Sequence, residues 1–471
     1  MALNRRDVLA VTGLGLVGGG LGGAFLGGGT AGAAPAGGGY GKPAVDGYGP
    51  LSPAGAELAL PAGFTYRTFG AAGTRMSDGL ATPGCHDGQA VFAAGRGRVR
   101  LIRNHEIDLD IPGARQRALG PRNAYDRSAP AGCTSSLYDI GSGKLLESFL
   151  VLNGTLSNCS GAPTPWGSWL SCEETTDGVK AGFDKPHGYV FEVPSDARGP
   201  EDPVPLKAMG RFEHETAPID PRTGIVYMTE DNGDPGDGFY RFLPRRPGQL
   251  AAGGRLQMLA VTGDRTYDTA TGQRVGEVLE THWVDIDEPD PSDAEDNPGA
   301  VYSQGRAKGG CRFLGLEGSA WTNGGVTFVA SEAGDGENGQ VWRYVPTGPD
   351  GGTLQLLFES PNARTLNQPD TVGVAPDGTI LLAEDGDGED DGGDNWLKVL
   401  TPAGGIVDLA RVIAPLDLHY WNPEDFPQPG PVGASELAGA CFTADGQHLF
   451  VNVQYPGVTC VITGPWRGGH R

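Results

Sequence analysis

The sequence predicts an all-β protein, a six-bladed β-propeller with insertions between its blades. The 471 residues include 79 glycines and 37 prolines, without the triplet period of collagen. A large core is available, because 38% of the residues are hydrophobic, with 8 Trp, 13 Tyr and 16 Phe. A turn-and-strand unit also recurs six times along the chain. Short strands joined by many turns are typical of propellers and sandwiches and exclude helical bundles and coiled coils.

The opening residues predict an export signal. Arg5 and Arg6 precede an apolar, glycine-rich stretch to about Leu26, and Ala31-Gly32-Ala33 fits a cleavage site. Paired arginines at this place are similar to a twin-arginine signal, and an ordinary secretory signal is the alternative. We expect export through the twin-arginine machinery to the periplasm or the extracellular space. The predicted divisions are a signal peptide at 1–33, a flexible leader at 34–50 and a single propeller domain at 51–471.

Composition also limits the partners. Acids outnumber bases by 58 to 35, for a net charge of −23, which disfavours nucleic acid and anionic membranes. No segment after the signal is apolar enough to span a bilayer. We therefore expect a monomer with no nucleic-acid or membrane partner. Six of the seven cysteines could pair after export, in any of fifteen combinations, which leaves one for another role.

The six-fold repeat consists of a turn glycine, a short strand and a polar or acidic end. The six glycines are Gly97, Gly167, Gly224, Gly325, Gly378 and Gly446. After four of these units comes an aromatic-bearing strand that stops at or just before a proline. Six antiparallel units favour a propeller, whereas a two-sheet sandwich explains short strands but not six copies of one strand pair. Uneven spacing places insertions between units, the clearest being acidic Asp285–Asp296.

A second unusual residue precedes each strand end by 14 to 18 positions. In an antiparallel hairpin the start of the first strand lies beside the end of the second. Six such edges around one channel predict a ring of Glu, Asp, Asn, His and Cys side chains at one mouth. The upstream candidates are His86 or Asp87, Cys159, Glu215, Glu317, Asp370 and Glu436, and the strand ends are Asn104, Glu173, Glu230, Glu332, Glu384 and Asn452.

Carboxylates close to one another raise one another's pKa, and bound cations would remove the repulsion between them. Oxygen donors favour hard ions such as Ca²⁺, whereas a thiolate favours a transition metal. The acidic loops 232–234, 334–337 and 386–391 lack EF-hand spacing and are either further calcium sites or solvated turns. His105 and His214 are each either a ligand, a proton donor or a structural residue. No Ser-His-Asp spacing, GxSxG, HExxH or P-loop is present, so the catalytic residues stay unassigned.

At these residues the chain resembles the PhoX family of alkaline phosphatases. The resembling blocks are Arg103–Glu106, Asn158–Gly161, Thr164–Glu174, Arg211–Glu215, Gln368–Asp370, Phe442–Gly446 and Phe450–Gln454. The resemblance implies an exported propeller with iron and calcium at one end of its channel, and a cysteine that bridges two irons. It also implies the hydrolysis of small-molecule phosphate monoesters.

Residue-by-residue matching makes Cys159 the implied bridge. The implied iron or calcium ligands are Glu173, Glu174, Glu215, Glu317, Asp370 and Glu436, followed by Glu106, Asp231 and Asp385. Where the family pattern has Arg-Pro-Glu, this chain has Gly315-Leu316-Glu317, so an arginine that could bind phosphate is missing there. Two other functions stay open: a calcium-dependent propeller hydrolase of the lactonase or phytase kind, and a non-catalytic propeller with structural metals.

Overall fold

The computed structural model describes residues 47–109, 111, 114–386, 394–416, 430 and 432–466. The predicted signal peptide at 1–33 and the leader at 34–50, apart from its end, lie outside the described residues. So does most of the acidic loop 386–391. Within the described part of the chain, no helix has the length and apolar character needed to cross a membrane.

The secondary structure is almost entirely β. In chain order the first strands are β1 Leu51–Pro53, β2 Leu58–Pro61, β3 Thr65–Phe69, β4 His86–Ala93, β5 Arg98–His105, β6 Ala131–Asp139, β7 Lys144–Thr155, β8 Asn158–Pro163, β9 Ser168–Glu173, β10 Val190–Pro194, β11 Val226–Thr229, β12 Phe239–Pro244 and β13 Gly254–Val261. The remaining strands are β14 Val278–Asp285, β15 Leu316–Thr322, β16 Gly325–Ala330, β17 Gln340–Pro346, β18 Gly351–Glu359, β19 Pro369–Val374, β20 Ile380–Glu384, β21 Trp396–Leu400, β22 Ile406–Val412, β23 Leu437–Phe442, β24 His448–Val453 and β25 Val458–Thr463. Helix α1 is Ala300–Ala307, and the 3-10 helices are Lys207–Met209 and Leu250–Ala252.

The described strands form five antiparallel sheets. Three of them have the orders β4-β5-β6-β7, β8-β9-β10 and β23-β24-β25-β3. The fourth extends β19-β20-β21-β22 with β2 and β1. The fifth has eight strands, because β14 lies beside β13 and also pairs with β18, at the outer edge of β15-β16-β17-β18.

These sheets confirm an all-β fold with a propeller-like arrangement. One edge strand of each sheet lies against an edge strand of a neighbour, and we call these edge strands, β4, β8, β15, β19 and β23, the first strands of their units. Strand β4 contacts β8 and β23, and β19 contacts β15 and β23. The count of six blades stays a prediction, since the edge pairing of β14 with β18 merges two units into one sheet. The predicted proline stops fall at the ends of β10, β12 and β17, where a residue without an N–H cannot extend the strand ladder.

Apolar clusters fill the spaces between neighbouring sheets and between the two halves of the eight-stranded sheet. Phe239 of β12 stacks on Phe328 of β16, with ring centroids 4.6 Å apart. Leu397 of β21 and Val451 of β24 share another cluster, and both are fully buried. All seven cysteines are free thiols in the structure, so none of the disulfides that the sequence allowed is present among the described residues.

Loop length differs between the two ends of the strands. Turns from first to second strands are short, such as 94–97 and 323–324. Loops from second to third strands and from one unit to the next are longer, such as 106–130, 174–189 and 286–315. The insertions therefore concentrate at the end where the first strands begin, which is the end that carries the predicted ring.

Candidate metal centre

A β-bulge interrupts each of the five strands β4, β8, β15, β19 and β23 near its start. His86 pairs with His105, but Gln89 pairs with Arg103, so one extra residue lies between. The same shift occurs in β8, β15, β19 and β23. Bulges turn a side chain away from the regular alternation of a strand and are frequent beside active sites. In four of these strands, the residue after the first pairing position is Asp87, Cys159, Glu317 or Asp370.

Glycines beside these bulges let the first strands approach one another. A Cβ atom at Gly318 would lie 2.3 Å from the carbonyl oxygen of Asp370. At Gly88 a Cβ atom would lie 2.6 Å from the Cα of Ser160. Because no side chain fits at such distances, glycine is required here. The close approach brings the carboxylate of Glu317 beside that of Asp370.

Ten side chains form five overlapping groups, and within each group the potential ligand atoms lie within 4.8 Å of one another. The groups are Asp87, Glu106 and Cys159; Cys159, Glu174 and Glu215; Glu174, Asp231 and Glu317; Glu215, Glu317 and Asp370; and Asp370, Asp385 and Glu436. Each group shares a member with another, so the donor atoms form one continuous set, which we call the donor cluster. The structure thus brings together all of the ligands that the family resemblance implied except Glu173.

The donor cluster has a buried part and a half-buried part. Residues of the first strands and their approaches are at most 6% exposed: Asp87, Cys159, Glu215, Glu317, Asp370 and Glu436. Residues just after the second strands are half-buried: Glu106, Glu174, Asp231 and Asp385. The half-buried carboxylates are therefore the part of the cluster that solvent reaches.

The electrostatics of the donor cluster favour cations. Burial, and then the carboxylates of Asp87 and Glu215, raise the pKa of the Cys159 thiol well above its ordinary value. A bound cation would reverse this effect, since it stabilises both the thiolate and the adjoining carboxylates. One thiol with nine carboxylates is a donor set that fits a transition metal together with hard divalent ions.

Glu173 faces away from the donor cluster, although it was among the predicted ligands. Its Oε1 accepts hydrogen bonds from Leu156 N (3.0 Å) and His187 Nδ1 (2.6 Å). Its Oε2 accepts from Gly188 N and Tyr189 N. Successive residues of a strand point to opposite faces, so Glu173 and Glu174 cannot both point into the donor cluster. The interpretation of both as ligands overlooked this alternation.

Two other strand-end glutamates repeat the arrangement of Glu173. Glu230 accepts from Tyr240 Oη (2.6 Å) and Gly238 N. Glu384 accepts from Asn367 N and lies 3.5 Å from Lys398 Nζ. In each case the residue that follows, Asp231 or Asp385, belongs to the donor cluster.

The sequence did not decide whether His86 or Asp87 contributes the upstream donor of the first unit. In the structure Asp87 belongs to the donor cluster and His86 does not. His86 Nε2 lies 3.0 Å from Pro83 O. His105 is held by Gly84 O and Thr134 Oγ1, and His214 by Gly210 O. These three buried histidines therefore have structural contacts. The glycine directly after Asp87 was the available signal, since Glu317 has the same neighbour.

Backbone amides bind carboxylates in and beside two of the acidic loops that follow the second strands. Asp335, in loop 334–337, accepts a hydrogen bond from Gly272 N at 2.7 Å. Asn232 N and Gly233 N, in loop 232–234, donate to Asp237 Oδ1. These contacts, of Asp335 in its loop and of Asp237 just outside loop 232–234, are typical of structural turns.

His187 is expected to make stability depend on pH. Burial alone lowers the pKa of His187, but the flanking carboxylates of Glu173 and Asp126 outweigh it and raise that pKa to about 9. A raised folded-state pKa stabilises the protein fully below the unfolded value of about 6.5, and the contribution disappears as pH rises through about 9. The expected loss is up to about 3 kcal/mol.

Urea unfolding between neutral and alkaline pH measures this effect. The His187→Gln variant is expected to show a flatter pH dependence than the wild type. His282→Gln is the matched control, because His282 is exposed. Parallel pH profiles for wild type and His187→Gln would contradict a charged His187.

The fold and the donor cluster define a class: an all-β, propeller-like protein with a continuous set of potential metal ligands at one end. A family model described as alkaline phosphatase PhoX matches residues 128–457. The chain therefore belongs to the alkaline phosphatase PhoX family, and it is a phosphoric monoester hydrolase. The family predicted from the sequence is confirmed.

Solved structures with a similar fold include that of Pseudomonas fluorescens PhoX in complex with vanadate, a transition state analogue. It is 18% identical, with a TM-score of 0.61, over 89% of this chain and 99% of that one. A luciferin-regenerating enzyme matches at 10% identity, with a TM-score of 0.41, over 83% of this chain and 94% of that one. The search of curated proteins returned no match.

Proposed function

We propose that this protein is an exported, metal-dependent phosphatase that hydrolyses small-molecule phosphate monoesters at the donor cluster. The observation that supports this proposal most directly is the continuous set of overlapping donor groups in a chain of the alkaline phosphatase PhoX family. The substrate and the cluster are both anionic, so they repel each other unless cations lie between them. A phosphate monoester and this set of side chains therefore fit together only with bound metal.

Iron and calcium are the metals that the donor atoms favour. The groups around Cys159 include a thiol and suit iron, and the other groups contain only oxygen donors and suit calcium. When bound, such cations act as Lewis acids that offset the charge of the phosphoryl oxygens. The chain's own part is to hold the donors: the buried carboxylates keep the cations in place, and the half-buried ones form the side that a substrate reaches.

Cys159 also separates the proposal from its alternatives. A calcium-only hydrolase of the lactonase or phytase kind needs oxygen donors but no thiol, and so does a binding propeller with structural calcium. Here the thiol belongs to two of the five donor groups and is almost fully buried between carboxylates. A buried thiol at this place supports a transition metal.

We further infer six blades in a single domain at 51–471, and a monomer. Six apolar clusters within the described residues support this count, because each joins two neighbouring units. The pairs are Ile102 with Trp169, Leu170 with Phe242, Phe239 with Phe328, Val341 with Leu382, Leu397 with Val451, and Phe450 with Leu101. Export through the twin-arginine machinery, by a signal at 1–33 and a leader at 34–50, is supported by Arg5 and Arg6 before the apolar stretch.

Elemental analysis together with p-nitrophenyl phosphate hydrolysis tests the function. The purified chain, loaded with iron and calcium, is expected to contain both metals and to hydrolyse the ester at neutral or alkaline pH. Chelation is expected to abolish turnover, and return of both metals to restore it. Calcium without iron would favour one of the alternatives, and a fully loaded protein without turnover would overturn the phosphatase assignment.

A further inference from the structure

The last sheet meets the first at a seam where the two ends of the described chain lie close together. Strand β3, near the start, completes the last sheet by pairing with β25, and β23 packs against β4. Glycines again permit the approach: a Cβ atom at Gly439 would lie 2.7 Å from the carbonyl oxygen of Asp87. A Cβ atom at Gly457 would lie 2.6 Å from the His86 ring. The first donor group is therefore assembled directly against the last sheet.

Two amide side chains of the last sheet cross this seam. Asn452, in β24, and Gln454, just after it, are two residues apart and point to the same side. Asn452 Nδ2 donates to the main-chain oxygen of Asp87 at 2.6 Å. Thr459 Oγ1 in turn donates to Asn452 Oδ1 at 2.6 Å. The main chain of Asp87 is thus held in place, and only its carboxylate needs to be oriented.

Gln454 binds two carboxylates of the donor cluster at once. Its Nε2 donates to Asp87 Oδ2 at 3.1 Å and to Glu106 Oε2 at 2.7 Å. A primary amide has two N–H donors, and this one uses both. Gln454 is only 4% exposed, so water does not compete for these hydrogen bonds.

The position of Gln454 in the repeat explains why an amide matters. The residue directly after the second strand is a carboxylate in three other units, as Glu106 follows β5, Glu174 follows β9 and Asp385 follows β20. The last unit has a neutral donor there instead. A third carboxylate would repel Asp87 and Glu106, and a lysine would cancel the charge that a cation needs. An amide holds both carboxylates together and leaves their charge intact.

We propose that Gln454 is a positioning residue that orients Asp87 and Glu106 for the metal bound at Cys159. The inference rests on the proposed function, because it concerns the same cluster. It concerns the thiol-containing end, since Asp87, Glu106 and Cys159 form one donor group. Both hydrogen bonds from the Gln454 Nε2 go to the thiol-containing group, whereas its contact with Glu436, of an oxygen-only group, joins main-chain atoms and survives a change of side chain. The calcium sites are therefore expected to be unaffected by the loss of the amide.

Metal titration of Gln454 variants in the full chain tests the proposal. Gln454→Met keeps the side-chain length but removes the donor, and Gln454→Glu keeps the shape but replaces the donor with an acceptor. Cobalt(II) serves as the probe, because cobalt bound to the Cys159 thiolate absorbs light by charge transfer. Both variants are expected to bind cobalt at this site about ten- to a hundredfold more weakly, with calcium content unchanged. In iron-loaded protein, kcat should fall more than KM rises.

Gln447→Met is the matched control, since Gln447 is an exposed glutamine before the opposite end of β24. It is expected to bind cobalt as the wild type does. Wild-type cobalt affinity in Gln454→Met would overturn the proposal. So would loss of cobalt and calcium binding together with a lower Tm, which would show a purely structural seam residue. A wild type that binds cobalt at Cys159 but hydrolyses no phosphate ester would refute the proposed function and leave the role of Gln454 standing.

Discussion

Replacing Cys159 with serine is expected to remove iron from the protein and to lower kcat/KM for p-nitrophenyl phosphate by at least about a hundredfold. The thiol belongs to two donor groups, so its loss affects Asp87 and Glu106 on one side and Glu174 and Glu215 on the other. A serine hydroxyl is a poor ligand for a transition metal at neutral pH. Elemental analysis and steady-state kinetics measure the two effects, and calcium content is expected to stay at its wild-type value.

Cys311→Ser is the control for the cost of placing a hydroxyl at a buried cysteine. Cys311 is fully buried but lies outside the donor groups, and its Sγ donates a hydrogen bond to the carbonyl oxygen of Arg312 at 3.7 Å. It is expected to lose some stability and to keep iron and activity. Full activity in Cys159→Ser with calcium alone would instead identify a calcium-dependent hydrolase.

Replacing Gly318 with alanine is expected to disrupt the donor cluster although no ligand atom is changed. The new Cβ would lie 2.3 Å from Asp370 O and 2.7 Å from Val372 N. Both contacts are with main-chain atoms, so no side-chain rotation relieves them. The strand carrying Asp370 must move away from Glu317, which enlarges the group that they form with Glu215. The expected results are a loss of about 1–3 kcal/mol in the free energy of unfolding and a lower calcium content.

Gly348→Ala is the matched control, because Gly348 lies between β17 and β18 of the same unit with open space around its Cα. Urea unfolding and elemental analysis of the two variants distinguish the general effect of a Gly→Ala replacement on stability from the effect of a Cβ atom placed between two closely approaching strands. Equal stability and equal calcium content in the two variants would mean that the first strands can separate without harm, and that Gly318 does not shape the cluster.

The repeat and its strand ends were predictable because they depend on local sequence. Turn glycines, alternating apolar residues and proline stops mark each strand, and the hairpin rule then places strand starts beside strand ends. The pairings of Asn158 with Glu173 and of Pro369 with Glu384 follow this rule. The hairpin rule predicted the upstream members Cys159, Glu215, Glu317, Asp370 and Glu436, and left Asp87 open. The resemblance to the family implied Glu106, Glu174, Asp231 and Asp385, whereas none of the strand ends that the rule placed in the ring belongs to the donor cluster.

Where the predicted site differs from the structure, the predicted residue lies next in sequence to the residue that joins the donor cluster. Glu173 was included although its carboxylate points away from the donor cluster, where it accepts hydrogen bonds from His187 and three backbone amides. Asp87 could not be separated from His86. Both depend on which face of a strand a side chain occupies, and a bulge of one residue reverses that choice.

The sequence by itself determined the β class, the repeating unit, the family and the residue types of the site, because turn chemistry and strand alternation act over a few neighbours. Only the tertiary structure decided which carboxylate of each adjacent pair joins the donor cluster, and that Gln454 crosses the seam to Asp87 and Glu106. It also decided that β14 joins two units into one sheet. These features arise from contacts between residues far apart in the chain, where backbone spacing selects the outcome and local patterns carry no information about it.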